Sequence, residues 1–267
     1  MVRKGYVDTR FGQVHYYRSG ESGPLLFLFH ETALSGNEFE RTLPLLGEKC
    51  RAIAFDTPGY GMSDPPPAPL DMDGLSARLL EAIEAFGDGP CILAGAHTGS
   101  SIAIDLASKQ LRHRVTHVVL TGLALLTPEE VEVFRRIIGT PEIDREGQFL
   151  MTEWQKRLQR WGADTDPEDL LWGAVEQLRV YKRFAWAFEA VFSHDAEAAL
   201  RNLACPLLFL VGEHDSLVES DKRASKLVAG SELRILPGLP GRLPYFEPEI
   251  YARELLEFCG LRWCTRA

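Results

Sequence analysis

Short apolar runs alternate with amphipathic stretches along most of the chain. Residues 25–29, Leu-Leu-Phe-Leu-Phe, form an unbroken apolar run of the kind a strand buried on both faces requires. Residues 51–55, 91–94, 117–120 and 207–211 read the same way, while residues 14–18 alternate like a strand with one exposed face. Helical periodicity occupies residues 75–86, 101–111, 220–228 and 250–258. Strands alternating with helices predict βαβ units, and with them an α/β fold: a mostly parallel central sheet flanked by helices.

Residues 127–202 break this rhythm. They read as helix throughout and carry Trp154, Trp161, Trp172, Tyr181, Phe184, Trp186, Phe188 and Phe192. The expectation is a helical cap, 127–202, inserted into a core made of 1–126 and 203–267. Its aromatics either line an apolar pocket, as ligand sites commonly are lined, or pack as ordinary peripheral helices; the pocket is the favoured reading. No internal repeat is visible, and Pro65-Pro66-Pro67-Ala68-Pro69 is a stiff extended loop.

At 267 residues the chain can bury a sizeable core as one such domain. A net charge of −9 with no offsetting basic run argues against a nucleic-acid partner or an anionic membrane surface. No apolar segment approaches a membrane span, and the N-terminus lacks the apolar stretch of a signal peptide. Cys50, Cys91, Cys205, Cys259 and Cys264 show no metal-ligand spacing, and an odd number fits free thiols in a reducing compartment. The expectation is a cytoplasmic protein acting on a small-molecule substrate, with no metal or other cofactor; homo-oligomerisation stays open.

Leu93-Ala94-Gly95-Ala96-His97-Thr98-Gly99-Ser100 is the segment richest in chemistry. An apolar run feeds two glycines four residues apart and a helical pattern follows, which is the setting of a G-x-S-x-G nucleophile elbow. Such a turn needs glycines because its central residue is strained and leaves no room for flanking side chains. Here the central residue is His97. Three more segments each follow an apolar run: His30-Glu31-Thr32, Asp56-Thr57-Pro58-Gly59-Tyr60-Gly61-Met62-Ser63-Asp64, and Gly212-Glu213-His214-Asp215. Their order and spacing resemble the α/β-hydrolase superfamily from about Tyr6 to Phe258, and the second matches that family's D-x-P-G-x-G-x-S. The resemblance implies an α/β-hydrolase fold and a nucleophile–acid–histidine triad in that chain order. It also implies that Asp215 is the acid and that the backbone N–H groups of Thr98 and Thr32 hold an oxyanion.

Two triad positions depart from that family. His97 stands where serine is usual, and Arg242, within Gly241-Arg242-Leu243-Pro244, stands where the histidine is usual. Glu31 replaces the glycine that normally follows the loop histidine. An imidazole reaches about 3 Å farther than a serine hydroxyl, so His97 can meet Asp215 as a dyad. A carboxylate partner fixes the tautomer and raises basicity, which suits His97 as a general base near neutral pH, or as a nucleophile. Arg242 cannot accept a proton. Three places stay open for it: paired with Asp215, facing the pocket to bind a substrate anion or an oxyanion, or exposed. Glu31 either faces His97 as a second proton carrier or is a solvated loop carboxylate.

The expected reaction is hydrolysis of a small, partly apolar carbonyl compound: an ester, thioester, lactone or C–C bond. Lyase or decarboxylase chemistry through His97, or a ligand-binding relic, are the alternatives. Ser100 and Ser101 are expected to be buried or capping in the helix, and His30 to pack under its loop. His214 is expected in a loop, His194 at the surface, and His15, His113 and His117 at the periphery.

Overall fold

In the computed structural model, described for residues 1–139 and 142–263, the strands form one eight-stranded sheet. They are β1 (Arg3–Thr9), β2 (Gly12–Ser19), β3 (Leu25–Phe29), β4 (Arg51–Phe55), β5 (Cys91–Ala96), β6 (Val115–Thr121), β7 (Leu207–His214) and β8 (Glu232–Pro240). Their spatial order is β1-β2-β4-β3-β5-β6-β7-β8. The β1–β2 and β2–β4 pairings are antiparallel and every other pairing is parallel. The two strands the apolar runs missed, β1 and β8, lie at the sheet's edges and are largely uncovered. With one neighbour and one wet side, an edge strand needs no continuous apolar run.

Helices α1 (Leu43–Leu46), α2 (Met72–Glu84) and α3 (Thr98–Ser108) fill the first crossovers. Residues between β6 and β7 form α4 (Pro128–Ile137), α5 (Gln148–Trp161), α6 (Pro167–Arg179), α7 (Trp186–Phe192) and α8 (Ala196–Arg201). The last part of the chain adds α9 (Val218–Ser225), α10 (Leu243–Phe246) and α11 (Pro248–Phe258). Side chains of successive strand residues point to opposite faces. Accordingly Phe27, Phe29, Leu93 and Phe209 join one apolar cluster, while Leu26, Leu28, Ala94 and Leu210 join a second across the sheet. Helix α3 is buried along its whole length. It packs on β5 and is flanked by α2 and α8. That wedged position fixes the residue at its N-terminus, His97.

Among the described residues no helix is long and apolar enough to cross a membrane. Cys50, Cys91, Cys205 and Cys259 are free thiols; Cys264 lies outside the described residues.

Candidate active site

The turn between β5 and α3 forces His97 into an unusual backbone conformation, φ 48° and ψ −109°. Non-glycine residues rarely populate positive φ, so the surroundings must impose it. The imidazole's own backbone is tied down: its N–H donates to the Thr121 carbonyl at 2.8 Å, and its carbonyl accepts from Ser100 N at 2.9 Å. The flanking glycines explain themselves. A Cβ on Gly95 would run into the Gly99 carbonyl, and one on Gly99 into the Phe29 carbonyl of the next strand.

The ring of His97 lies between two carboxylates. Its Nε2 is 3.0 Å from Asp215 Oδ2, and its Nδ1 is 3.8 Å from Glu31 Oε2. Asp215 follows β7 directly and is buried; its Oδ1 accepts from Leu217 N at 2.8 Å. Gly122, just past β6 with φ +68°, makes the ring's berth, because a Cβ there would sit 2.7 Å from its Cδ2 and Nε2. Gly241 does the same for Asp215, whose Oδ2 would lie 2.6 Å from a Cβ at that position. Strand ends from three different segments therefore converge on one imidazole.

Arg242 takes none of the places left open for it as a partner of Asp215 or an exposed side chain. Its Nε donates to Glu31 Oε1 at 2.8 Å, and its guanidinium lies 5.0 Å over the Trp161 ring. The choice follows from geometry: Asp215 is already committed to His97, while Glu31 has the free oxygen nearby. Glu31 is buried, not a solvated carboxylate. Its N–H donates to Glu38 Oε2 at 2.9 Å, a contact that nothing in the local sequence pattern signalled.

Charge sets the protonation states. Burial disfavours the imidazolium, but Asp215 first and Glu31 second outweigh it and hold the His97 pKa up at about 9. Burial pulls Asp215 upward, yet the charge and hydrogen bond of His97 bring it below the ordinary carboxylate range. Burial, then repulsion from Glu31, push Glu38 up to about 8. Two carboxylates, Asp215 and Glu31, thus favour the protonated form of the His97 ring.

Among the described residues, the N–H groups of Thr98 and Thr32 donate no hydrogen bond. Ser100 points inward, with Oγ donating to the carbonyls of Gly95 at 2.8 Å and Thr121 at 3.2 Å, and Ser101 is fully buried. His30 packs beneath its loop, its Nε2 accepting from Thr57 N and its Nδ1 on the Glu31 carbonyl. His214 ends β7 and is exposed. Two histidines correct the expectation. His15 is buried against Asp56 at 2.9 Å, and His194 is tucked beside Asp105 at 3.2 Å, so neither is peripheral or superficial. In each case a fully buried aspartate supplies the reason.

A small cavity of about 70 Å³ opens at His97 and Thr98. Phe134 and Ile138 from the α4 end, and Phe188 and Phe192 from α7, form its apolar wall. The tryptophans expected there lie elsewhere. Trp172 stacks on Tyr245 at 4.1 Å, and Trp161 packs edge-on to Phe246 at 5.7 Å, because α5 and α6 abut α10 instead. Among the described residues no group of His, Cys, Asp and Glu is arranged to hold a metal ion.

Comparison with known proteins adds to this picture. The chain is 26% identical over 274 residues to the bifunctional esterase/perhydrolase DCH of Acinetobacter calcoaceticus, covering 95% of this chain and 99% of that one. It is 28% identical over 253 residues to the 2-(acetamidomethylene)succinate hydrolase of Mesorhizobium japonicum, covering 90% of each. The crystal structure of an E-2-(acetamidomethylene)succinate hydrolase superposes with a TM-score of 0.81 at 20% identity over 97% of this chain and 100% of that one. The enol-lactonase from Burkholderia xenovorans LB400 superposes with a TM-score of 0.79 at 18% identity, covering 96% of this chain and 100% of that one. Shared architecture is what such structural likeness conveys. The strand order, the bend at His97 and a match to the alpha/beta hydrolase family model over residues 27–254 together make the chain a member of the alpha/beta hydrolase family.

Proposed function

We propose that this protein is a hydrolase of small, partly apolar carbonyl compounds whose elbow carries a histidine in place of the nucleophilic serine, making an atypical triad. The observation that carries the reading is the 3.0 Å contact between His97 Nε2 and Asp215 Oδ2, made by an imidazole that lines an apolar cavity. In the neutral ring the proton stays on Nε2, held by Asp215, so Nδ1 is the nitrogen that accepts. His97 Nδ1 takes a proton from water as the oxygen attacks the carbonyl carbon. The N–H groups of Thr98 and Thr32 receive the developing oxyanion. The imidazolium then returns its proton to the leaving group as the carbon–heteroatom bond breaks, so no acyl-enzyme forms. Arg242, bound to Glu31, holds no basic lone pair and takes no part in the transfer.

Residues 127–202 serve in this reading as a helical cap over the core formed by 1–126 and 203–267. The support is that α4 and α7 supply the apolar wall facing His97. Relatives named as an esterase/perhydrolase and a 2-(acetamidomethylene)succinate hydrolase favour hydrolysis over lyase chemistry.

The test is a panel of activated esters, thioesters and lactones, assayed with wild type, His97→Ala and His97→Ser. Turnover by wild type is expected to fall by about 10²–10⁴-fold in His97→Ala. His97→Ser is expected not to recover it, since Arg242 cannot relay a proton. Equal rates in wild type and His97→Ala would discard His97 as the base.

A further inference from the structure

A second cavity, of about 370 Å³, lies beside the one at His97. Ile138 belongs to the walls of both, and Phe184 of the second packs at 5.5 Å on Phe188 of the first. The two spaces therefore adjoin along apolar side chains. The far side of the second is different in kind. Arg136 from the end of α4 and Glu153, Lys156 and Arg160 from α5 line it, together with Ile138 and Phe184. Lys156 is neutralised by Glu153 at 2.8 Å. Arg160 donates only to the Lys156 carbonyl, at 3.3 Å, and among the described residues neither Arg160 nor Arg136 has a carboxylate partner. Two guanidinium groups with no carboxylate in contact thus line one cavity of a chain of net charge −9, and Glu31 and Glu153 act on Arg160 only at longer range. Acidic residues are plentiful enough to have paired them. Guanidinium groups bind planar or tetrahedral oxyanions through paired N–H donors, and the apolar floor between them and His97 suits a short hydrocarbon spacer.

We propose that this cavity binds an oxyanion at the far end of the substrate, so that the molecule consumed is a carbonyl compound with a short apolar chain ending in a carboxylate or a phosphate. The assignment rests on the hydrolase reading for the word substrate, but its test does not depend on turnover. Calorimetric titration of wild type with hexanoate, hexyl phosphate and neutral 1-hexanol separates the possibilities. The anion is expected to bind on the order of tenfold more tightly than the alcohol. The preference is expected to vanish in the Arg136→Gln/Arg160→Gln double variant and to persist in His97→Ala. The better of hexanoate and hexyl phosphate identifies the headgroup. The assignment is overturned if the alcohol binds as well as both anions, or if the double variant binds the anion unchanged. Both guanidinium groups are exposed, so the double variant is expected to melt with wild type. Failure of the ester panel with anion binding intact would remove the hydrolase reading and leave the anion site standing.

Discussion

At the scale of single residues, the site is governed by where one proton rests. His97 has its pKa raised from the ordinary imidazole value to about 9. A group raised in this way stabilises the fold fully below the ordinary value near 6.5, and the contribution is lost as pH rises through about 9. The base form needed for catalysis appears over the same upper range. About 1% of the protein holds it at pH 7, so kcat/KM should climb about tenfold per pH unit and level off near pH 9, with the imidazole titration followed by NMR tracking the rate. A rate already flat at pH 7 would contradict this. Asp215→Asn should shift the imidazole titration to lower pH. Glu38 gives a separate prediction. Its carboxyl stays protonated up to about pH 8, whereas an unfolded chain ionises it near 4.5. The native state is thus penalised increasingly as pH rises from about 4.5 to about 8. Glu38→Gln keeps an acceptor for the Glu31 N–H without that penalty. Its melting temperature, relative to wild type, should rise across this interval. Sequence brought His97, Asp215, Glu31 and Arg242 to one place because each follows a strand or matches a motif. Glu38 was invisible, since a buried carboxyl in a single 3-10 turn has no periodicity to betray it.

At the scale of elements, the bend between β5 and α3 is the most constrained feature. Gly99 packs against the carbonyl of Phe29, so a methyl group there must push the start of α3 away from β3. Gly99→Ala should cost about 2–4 kcal/mol, read as a lower urea midpoint, and should abolish activity by moving His97. A neutral outcome would mean the bend is looser than drawn. The interior strands were legible because burial on both faces demands unbroken apolar runs, and β3 and β4 match those runs residue for residue. Strands β1 and β8 were not, being half wet, and the tryptophans of α5 and α6 misled because apolar bulk says nothing about which neighbour it will meet.

Across the whole molecule, the helices between β6 and β7 are tied to the rest by polar contacts as well as by packing. Tyr60 makes two of them: its hydroxyl donates to the Arg183 carbonyl at 2.9 Å and accepts from Ala187 N at 3.0 Å. Tyr60→Phe leaves that N–H without an acceptor and should cost about 1–3 kcal/mol, visible as a lower melting temperature and faster proteolysis between α6 and α8. Long-range ties of this kind join residues more than a hundred positions apart, so no window along the chain reveals them. Gly122 belongs to the same category. Its missing side chain is what admits the imidazole, so tolerance for histidine at the bend is decided by a residue just past another strand. In unfamiliar chains of this fold, a histidine at the bend with alanine or anything larger in the place of Gly122 would have its ring displaced from the acid. Inspecting those two positions together would sort working centres from ornamental ones before any protein is made.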